Sequence, residues 1–199
     1  DRILGLELAH GGHLTHGMKL NFSGKMYEAH AYGLNPETYL IDMDIVRARA
    51  HEVKPAVIIA GWSAYSRHLD FAEFRKIADE VGAYLLFDAA HLCGMIAGKA
   101  WPQPLAEGAH LMTFSTYKSL GGPAGGLIVT NDKDLAKKLD AIAYPGLTAN
   151  FDAAKTAALG ITLQDWISCG KDYAQEMIAT AKELALQLDQ KGLKIFGKF

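Results

Sequence analysis

Along this chain, short runs of β-branched, aliphatic and aromatic residues alternate with segments whose apolar residues recur every three or four positions. The runs at residues 3–8, 26–31, 56–60, 84–87, 111–114 and 126–130 have strand length and predict strands. The periodic segments predict helices over 42–51, 70–81, 133–143 and 173–190. In the second of these, Phe71, Phe74, Ile77, Ala78 and Val81 share one face, the face a helix lays on a sheet. In the last, Ala174, Met177, Ile178, Ala181, Leu184, Ala185 and Leu188 form the apolar stripe. Pro55 keeps the first helix from running on into the next strand. Such alternation predicts an α/β domain on a mostly parallel sheet. The chain has no internal repeat, low-complexity tract or linker, so one domain is expected.

In open α/β sheets, ligands bind at the carboxyl ends of the strands. Four predicted ends carry small or titratable residues. They are His10-Gly11-Gly12-His13, Trp62-Ser63-Ala64-Tyr65-Ser66, Asp88-Ala89-Ala90-His91 and Ser115-Thr116-Tyr117-Lys118. Lys118 is followed by Ser119-Leu120-Gly121-Gly122-Pro123-Ala124-Gly125-Gly126, a backbone bare enough for a large group to lie on. A strand-end lysine with a strand-end acid suits pyridoxal phosphate, which needs an amine for its aldehyde and a carboxylate for its ring nitrogen. Desolvation lowers a lysine's pKa in the direction such chemistry needs. The plainer uses are a surface lysine in a turn, a turn-capping Asp88 and a hydrogen-bonded core histidine at His91.

Two other chemistries are weaker. His10, His13 and His16 recur every three residues and invite zinc, but Gly11-Gly12 breaks any helix that would align them, and no cysteine or carboxylate cluster joins them. No metal is expected. The glycine loop after Lys118 lacks the Gly-Lys-Ser/Thr ending of a nucleotide P-loop and precedes a strand, not a helix.

Composition narrows the class. The 199 residues are half hydrophobic with a formal net charge of −2, enough for one sizeable core. The balance argues against a nucleic-acid surface or a polybasic membrane patch. Cys93 and Cys169 are too few and too far apart for a disulfide framework, which points to a reducing compartment and a cytoplasmic protein. No apolar run reaches the roughly 18–20 residues of a membrane span. The chain opens on a strand-like segment without Met and stops at Lys198-Phe199, just after the apolar Leu193-Lys194-Ile195-Phe196. Residues 1–199 are therefore expected to be a partial cofactor-binding large domain, with segments missing on both sides.

Several motifs resemble serine hydroxymethyltransferase, in order and at matching spacing. They are Leu8-Ala9-His10-Gly11-Gly12-His13-Leu14-Thr15-His16-Gly17, Asn21-Phe22-Ser23-Gly24-Lys25, Ser63-Ala64-Tyr65-Ser66, Asp88-Ala89-Ala90-His91 and Lys118-Ser119-Leu120-Gly121-Gly122-Pro123. The resemblance fades after about Gly146. It implies a fold-type I pyridoxal-phosphate transferase, with a seven-stranded-type sheet flanked by helices. It also implies roles: Lys118 as the Schiff-base lysine, Asp88 on the pyridine nitrogen and His13 stacked on the ring. Ser63 and His91 would lie toward the cofactor's 3-hydroxyl, Ser115 against the cofactor near the lysine, and Leu8 and Gly12 at the folate. Family members share active sites across subunits, so a homodimer or homotetramer is implied.

The reaction implied makes or breaks the Cα–Cβ bond of a β-hydroxy amino acid, by default serine/glycine hydroxymethyl transfer with tetrahydrofolate. The family usually has His before the lysine and Arg after the Gly-Pro pair, where this chain has Tyr117 and Ala124. Its glycine-rich loop is replaced by Gly146-Leu147-Thr148-Ala149-Asn150-Phe151. These differences motivate a folate-independent threonine-type aldolase or transaldolase as a rival. A catalytically inactive homologue serving as an assembly subunit is the alternative of another class.

Overall fold

The computed structural model describes residues 1–196; the Lys198-Phe199 end lies outside the described residues. Six strands form one sheet: β1 (Arg2–Leu6), β2 (Glu28–Tyr32), β3 (Val57–Gly61), β4 (Tyr84–Asp88), β5 (Leu111–Ser115) and β6 (Gly126–Val129). Their order is β2-β1-β3-β4-β5-β6, parallel except for β6, which runs antiparallel to β5. Among the described residues six α-helices accompany them: α1 (Phe22–Met26), α2 (Met43–Val53), α3 (Phe71–Val81), α4 (Cys93–Ala97), α5 (Lys133–Ala141) and α6 (Ala153–Gln190). The fold class is the α/β class expected, with six strands among the described residues.

Four elements differ from the expectation. β1 ends at Leu6, because the chain turns at Leu8–His10 and the N–H groups of His10 and Gly12 both take the Glu7 carbonyl. Met26 belongs to α1, not β2; the Asn21 side chain caps that helix by accepting from the Ser23 N–H. α5 stops at Ala141 and passes into a wider turn, Ile142–Leu147. α6 starts twenty residues before the predicted 173 and runs for 38 residues, about 57 Å at 1.5 Å per residue.

The core sits between the sheet and its helices. Phe71, Phe74 and Ile77 of α3 are buried against Leu85 and Phe87, with the Phe71 and Phe87 rings edge to face at 4.9 Å. Each such side chain contributes roughly 1.5–3 kcal/mol by leaving water. Tyr32 is buried among them because its hydroxyl donates to the Ile59 carbonyl at 2.9 Å. No helix among the described residues is long and apolar enough to cross a membrane.

The chain runs from β1 to β2 on one side and to β3 on the other, so β1 and β3 flank the point where strand order reverses. Two glycines leave that crevice open. Gly5 in β1 gives room to His16, whose Cβ would lie 3.0 Å from a Cβ at this position. Gly61 ends β3 at φ +97°, opposite Asp88 of β4, and a Cβ there would sit 2.2 Å from the Asp88 carbonyl oxygen. Gly61→Ala is therefore expected to cost about 3 kcal/mol, from left-handed strain plus overpacking. Thermal unfolding checks this; an unchanged midpoint would show that the β3–β4 spacing is not set by this glycine.

Candidate active site

β4 delivers Asp88 as its last residue, at the carboxyl edge. One carboxylate oxygen accepts the Ala90 N–H at 3.0 Å, and the other meets His16 Nε2 at 2.8 Å. His16 is buried, and its Nδ1 accepts the His13 N–H at 3.4 Å. With Nδ1 accepting, Nε2 carries a hydrogen and donates it to Asp88. Burial pushes the Asp88 carboxyl up. The His16 and Ala90 hydrogen bonds outweigh that and hold it below its usual value. Asp88 is thus a carboxylate kept charged inside the crevice.

His13 caps the turn Leu14–His16; its Nδ1 accepts the Thr15 N–H and lies 2.8 Å from the Thr15 hydroxyl. The cap is reciprocal, since His13 serves the turn and His16 serves His13. The two rings meet edge on at 5.8 Å. Burial lowers the pKa of His13, Asp88 opposes this, and His16, Lys118 and His91 lower it further. His13 is therefore neutral at pH 7, as a ring that packs flat on another ring should be.

Lys118 stands in the turn after β5, with Nζ 3.3 Å from His91 Nε2. Burial and then Lys118 lower the pKa of His91, against Asp88. The turn closes on itself: Gly122 donates to the Thr116 carbonyl at 2.7 Å, and Thr116 donates to the Gly125 carbonyl at 3.0 Å. The buried Thr116 hydroxyl donates to Pro123.

His13, Asp88, His91 and Lys118 are thus brought into one group whose charges act on one another. Ser63 is on the same edge, its N–H donating to Gly11 at 3.0 Å, which joins the β3 loop to the β1 loop. Ser115 ends β5. Neither Ser63 nor Ser115 makes a side-chain hydrogen bond to the group among the described residues. Gly12 is buried, with space for no Cβ, since one would lie 2.1 Å from the Leu6 carbonyl oxygen. Leu8 turns toward solvent.

The three histidines separate. His10 faces away and accepts the Leu34 N–H at 3.2 Å, while His13 and His16 turn toward Asp88. Ligand atoms of His13, His16 and Asp88 lie within 4.8 Å of one another. Both His16 nitrogens and both Asp88 oxygens are already hydrogen-bonded, so the group is a hydrogen-bonded chain running from the backbone to the carboxylate. His16 is absent from the site residues expected from the sequence, and the structure joins it to Asp88. Its signal is the His-x-x-His spacing of a reciprocal cap.

The group fits pyridoxal phosphate. An ionised carboxylate has about four lone-pair sites, two of them used here, which leaves capacity for a ring N–H. An amine and a neutral imidazole stand within the same crevice. The model of one family, described as serine hydroxymethyltransferase, matches residues 1–198. This chain belongs to the serine hydroxymethyltransferase family. The fold is accordingly that of the fold-type I pyridoxal-phosphate enzymes.

The match continues well past Gly146, where the resemblance was expected to fade. A serine hydroxymethyltransferase of Paracoccus denitrificans is 47% identical over 98% of this chain and 46% of its own length. Another, of Clavibacter sepedonicus, is 60% identical over 73% of this chain and 34% of its own. An alpha-methylserine aldolase of Ralstonia sp is 50% identical over 94% of this chain and 43% of its own. The chain spans less than half the length of these family members.

Proposed function

We propose that this protein is a pyridoxal-phosphate enzyme that cleaves or forms the Cα–Cβ bond of β-hydroxy amino acids. The observation that carries the reading is Asp88, held as a carboxylate by His16 and Ala90, on the same edge as Lys118. Bound there, the cofactor supplies a ring that draws electrons from the bond broken at Cα. Asp88 would keep a proton on the ring nitrogen, with the His16 Nε2–H holding Asp88 ionised. His13 would stack on the ring. Lys118 would supply the amine for the aldehyde, with His91 3.3 Å from that amine. Ser63 and His91 would serve the 3-hydroxyl side, and Ser115 the cofactor near the lysine.

Serine/glycine hydroxymethyl transfer with tetrahydrofolate is the default reaction, with Leu8 and Gly12 at the folate. Folate-independent aldol cleavage is the second reading. It is favoured by the relatives named alpha-methylserine aldolase, the second of them, from Variovorax paradoxus, 51% identical over the whole chain. Tyr117, next to the lysine, and Ala124, after the Gly-Pro pair, point the same way. Formation of glycine from serine and of alanine from α-methylserine, measured with and without tetrahydrofolate, separates the two. A rate on serine that rises at least about tenfold with folate, or 1.4 kcal/mol, supports the default. Folate-insensitive cleavage of α-methylserine supports the aldolase. No cleavage by a yellow, cofactor-loaded protein sinks both.

A homo-oligomer fits the exposed apolar residues Leu147, Phe151 and Ile167, which are 81%, 78% and 87% exposed. Sedimentation of the full-length protein tests it.

A further inference from the structure

Lys118 lies at the apex of a turn whose base is tied by Thr116 to Gly122 and Gly125. Base hydrogen bonds fix where the turn starts and returns; they do not fix the lateral position of the apex. Besides the Gly121 N–H on the Lys118 carbonyl, two tethers follow the lysine. Trp166 of α6 donates its Nε1–H to the Leu120 carbonyl at 2.7 Å, which holds the far side of the turn. The nearer tether is the Ser119 hydroxyl. It donates to the His91 carbonyl at 2.8 Å and accepts the Gly94 N–H at 3.0 Å, with Cys93 Sγ 3.4 Å away.

That hydroxyl gives its one proton to the His91 carbonyl and a lone pair to the first turn of α4. It therefore joins the Lys118 turn to the loop that carries His91. The contact is close-fitted. A Cβ on Gly94 would lie 2.2 Å from the Ser119 carbonyl oxygen and 3.1 Å from its Cβ, so the two segments touch along their backbones. Ser119 adjoins Lys118 in sequence and His91 in space. The 3.3 Å Nζ–Nε2 distance depends on both segments staying together.

We propose that Ser119 is a positioning residue, a hydroxyl staple that sets where the Lys118 amine stands relative to His91. The proposal rests on the reading of Lys118 as the cofactor-bearing lysine. Groups facing His91 are Lys118 from the β5 turn, Asp88 from the end of β4 and His13 from the β1 loop. Of these, Lys118 is the one that the staple ties to the His91 loop, so loss of the staple lets the lysine draw back from His91. Its retreat relieves the repulsion that lowers the His91 pKa, so the His91 midpoint rises.

The test is the pH titration of the His91 ring signals by NMR in full-length protein freed of cofactor. Ser119→Ala is expected to raise the midpoint by several tenths of a pH unit, and Ser119→Thr, which keeps the hydroxyl, to restore it. In a Lys118→Met background the midpoint is already high, and Ser119→Ala should move it no further. In loaded protein, Ser119→Ala should shift the pH midpoint of the cofactor's absorption band and lower kcat/KM roughly fivefold, the worth of one net hydrogen bond. If Ser119→Ala does not fold, Ser119→Cys fills the space with a poor hydrogen-bonding group and should give the same upward shift.

A folded variant with an unmoved His91 midpoint, or a shift that persists without Lys118, overturns the proposal. The cofactor-free titration is independent of the functional reading. Failure of that reading shows instead as wild-type protein that binds no pyridoxal phosphate.

Discussion

Lys118→Ala is expected to abolish the absorption band of lysine-linked cofactor and to lower turnover by on the order of 10³-fold or more, the scale of losing a covalent nucleophile. The amine has no understudy. Lys99, the next lysine back along the chain, lies just beyond α4, and Lys133 opens α5 on the far side of β6. The variant should fold, because Lys118 is only half-buried and its amine makes one polar contact among the described residues, the 3.3 Å approach to His91. Losing a nearby cation raises the His91 pKa, so His91 in the variant should titrate at higher pH than in the wild type. Lys118→Arg keeps a cation beside His91 but offers no amine. It should keep His91 low and still lack the band. A spectrum unchanged in Lys118→Ala would refute the lysine's assignment outright.

Much of this arrangement was legible in the sequence, for reasons that can be named. β3, β4 and β5 are short apolar runs within the core, and burial on both sides makes such runs continuous and their type plain. α3 carries a one-sided stripe because one face rests on the sheet. Asp88 and Lys118 stood out because each follows such a run, where parallel sheets place their ligands.

What stayed hidden depends on partners distant in sequence. His16 gains its role from Asp88, 72 residues away, and from the bare positions Gly5 and Gly61 that let the two meet. No local pattern records that distance. The first half of α6 was missed because Gly160, Gly170 and the β-branched Thr156, Ile161 and Thr162 weaken its propensity. Only Gly170 and Ala174 of the helix are buried, so packing imposes no apolar stripe on its first half. Its contact with the rest is small and specific: a Cβ on Gly98 would lie 2.3 Å from the Ala174 Cβ and 2.5 Å from the Gly170 carbonyl oxygen. The early ends of β1 and the late start of β2 were set by turn hydrogen bonds, which hydrophobicity does not report.

Asp88→Asn is expected to lower turnover by roughly 10²- to 10⁴-fold, about the 3–5 kcal/mol that removing one partner of a buried charge pair costs. The amide matches the carboxylate in shape, and its oxygen can still accept from His16. What it lacks is the charge that keeps a proton on the ring nitrogen, so binding should fall less than turnover. His16→Phe separates charge from support. It leaves the carboxylate in place but removes the Nε2–H, so burial prevails and the Asp88 carboxyl rises. Its loss should be about 10- to 100-fold, the worth of a hydrogen bond to a charged group. The acid limb of the pH–rate profile should also move to higher pH. For stability the sign is fixed by the lowered folded-state pKa. Asp88 stabilises the fold above the ordinary carboxylate value, and that contribution is lost as pH falls through the folded value. Asp88→Asn should remove this part of the acid dependence and flatten the melting temperature's decline at low pH. A His16→Phe enzyme with an unmoved acid limb would show that Asp88 keeps its charge by other means.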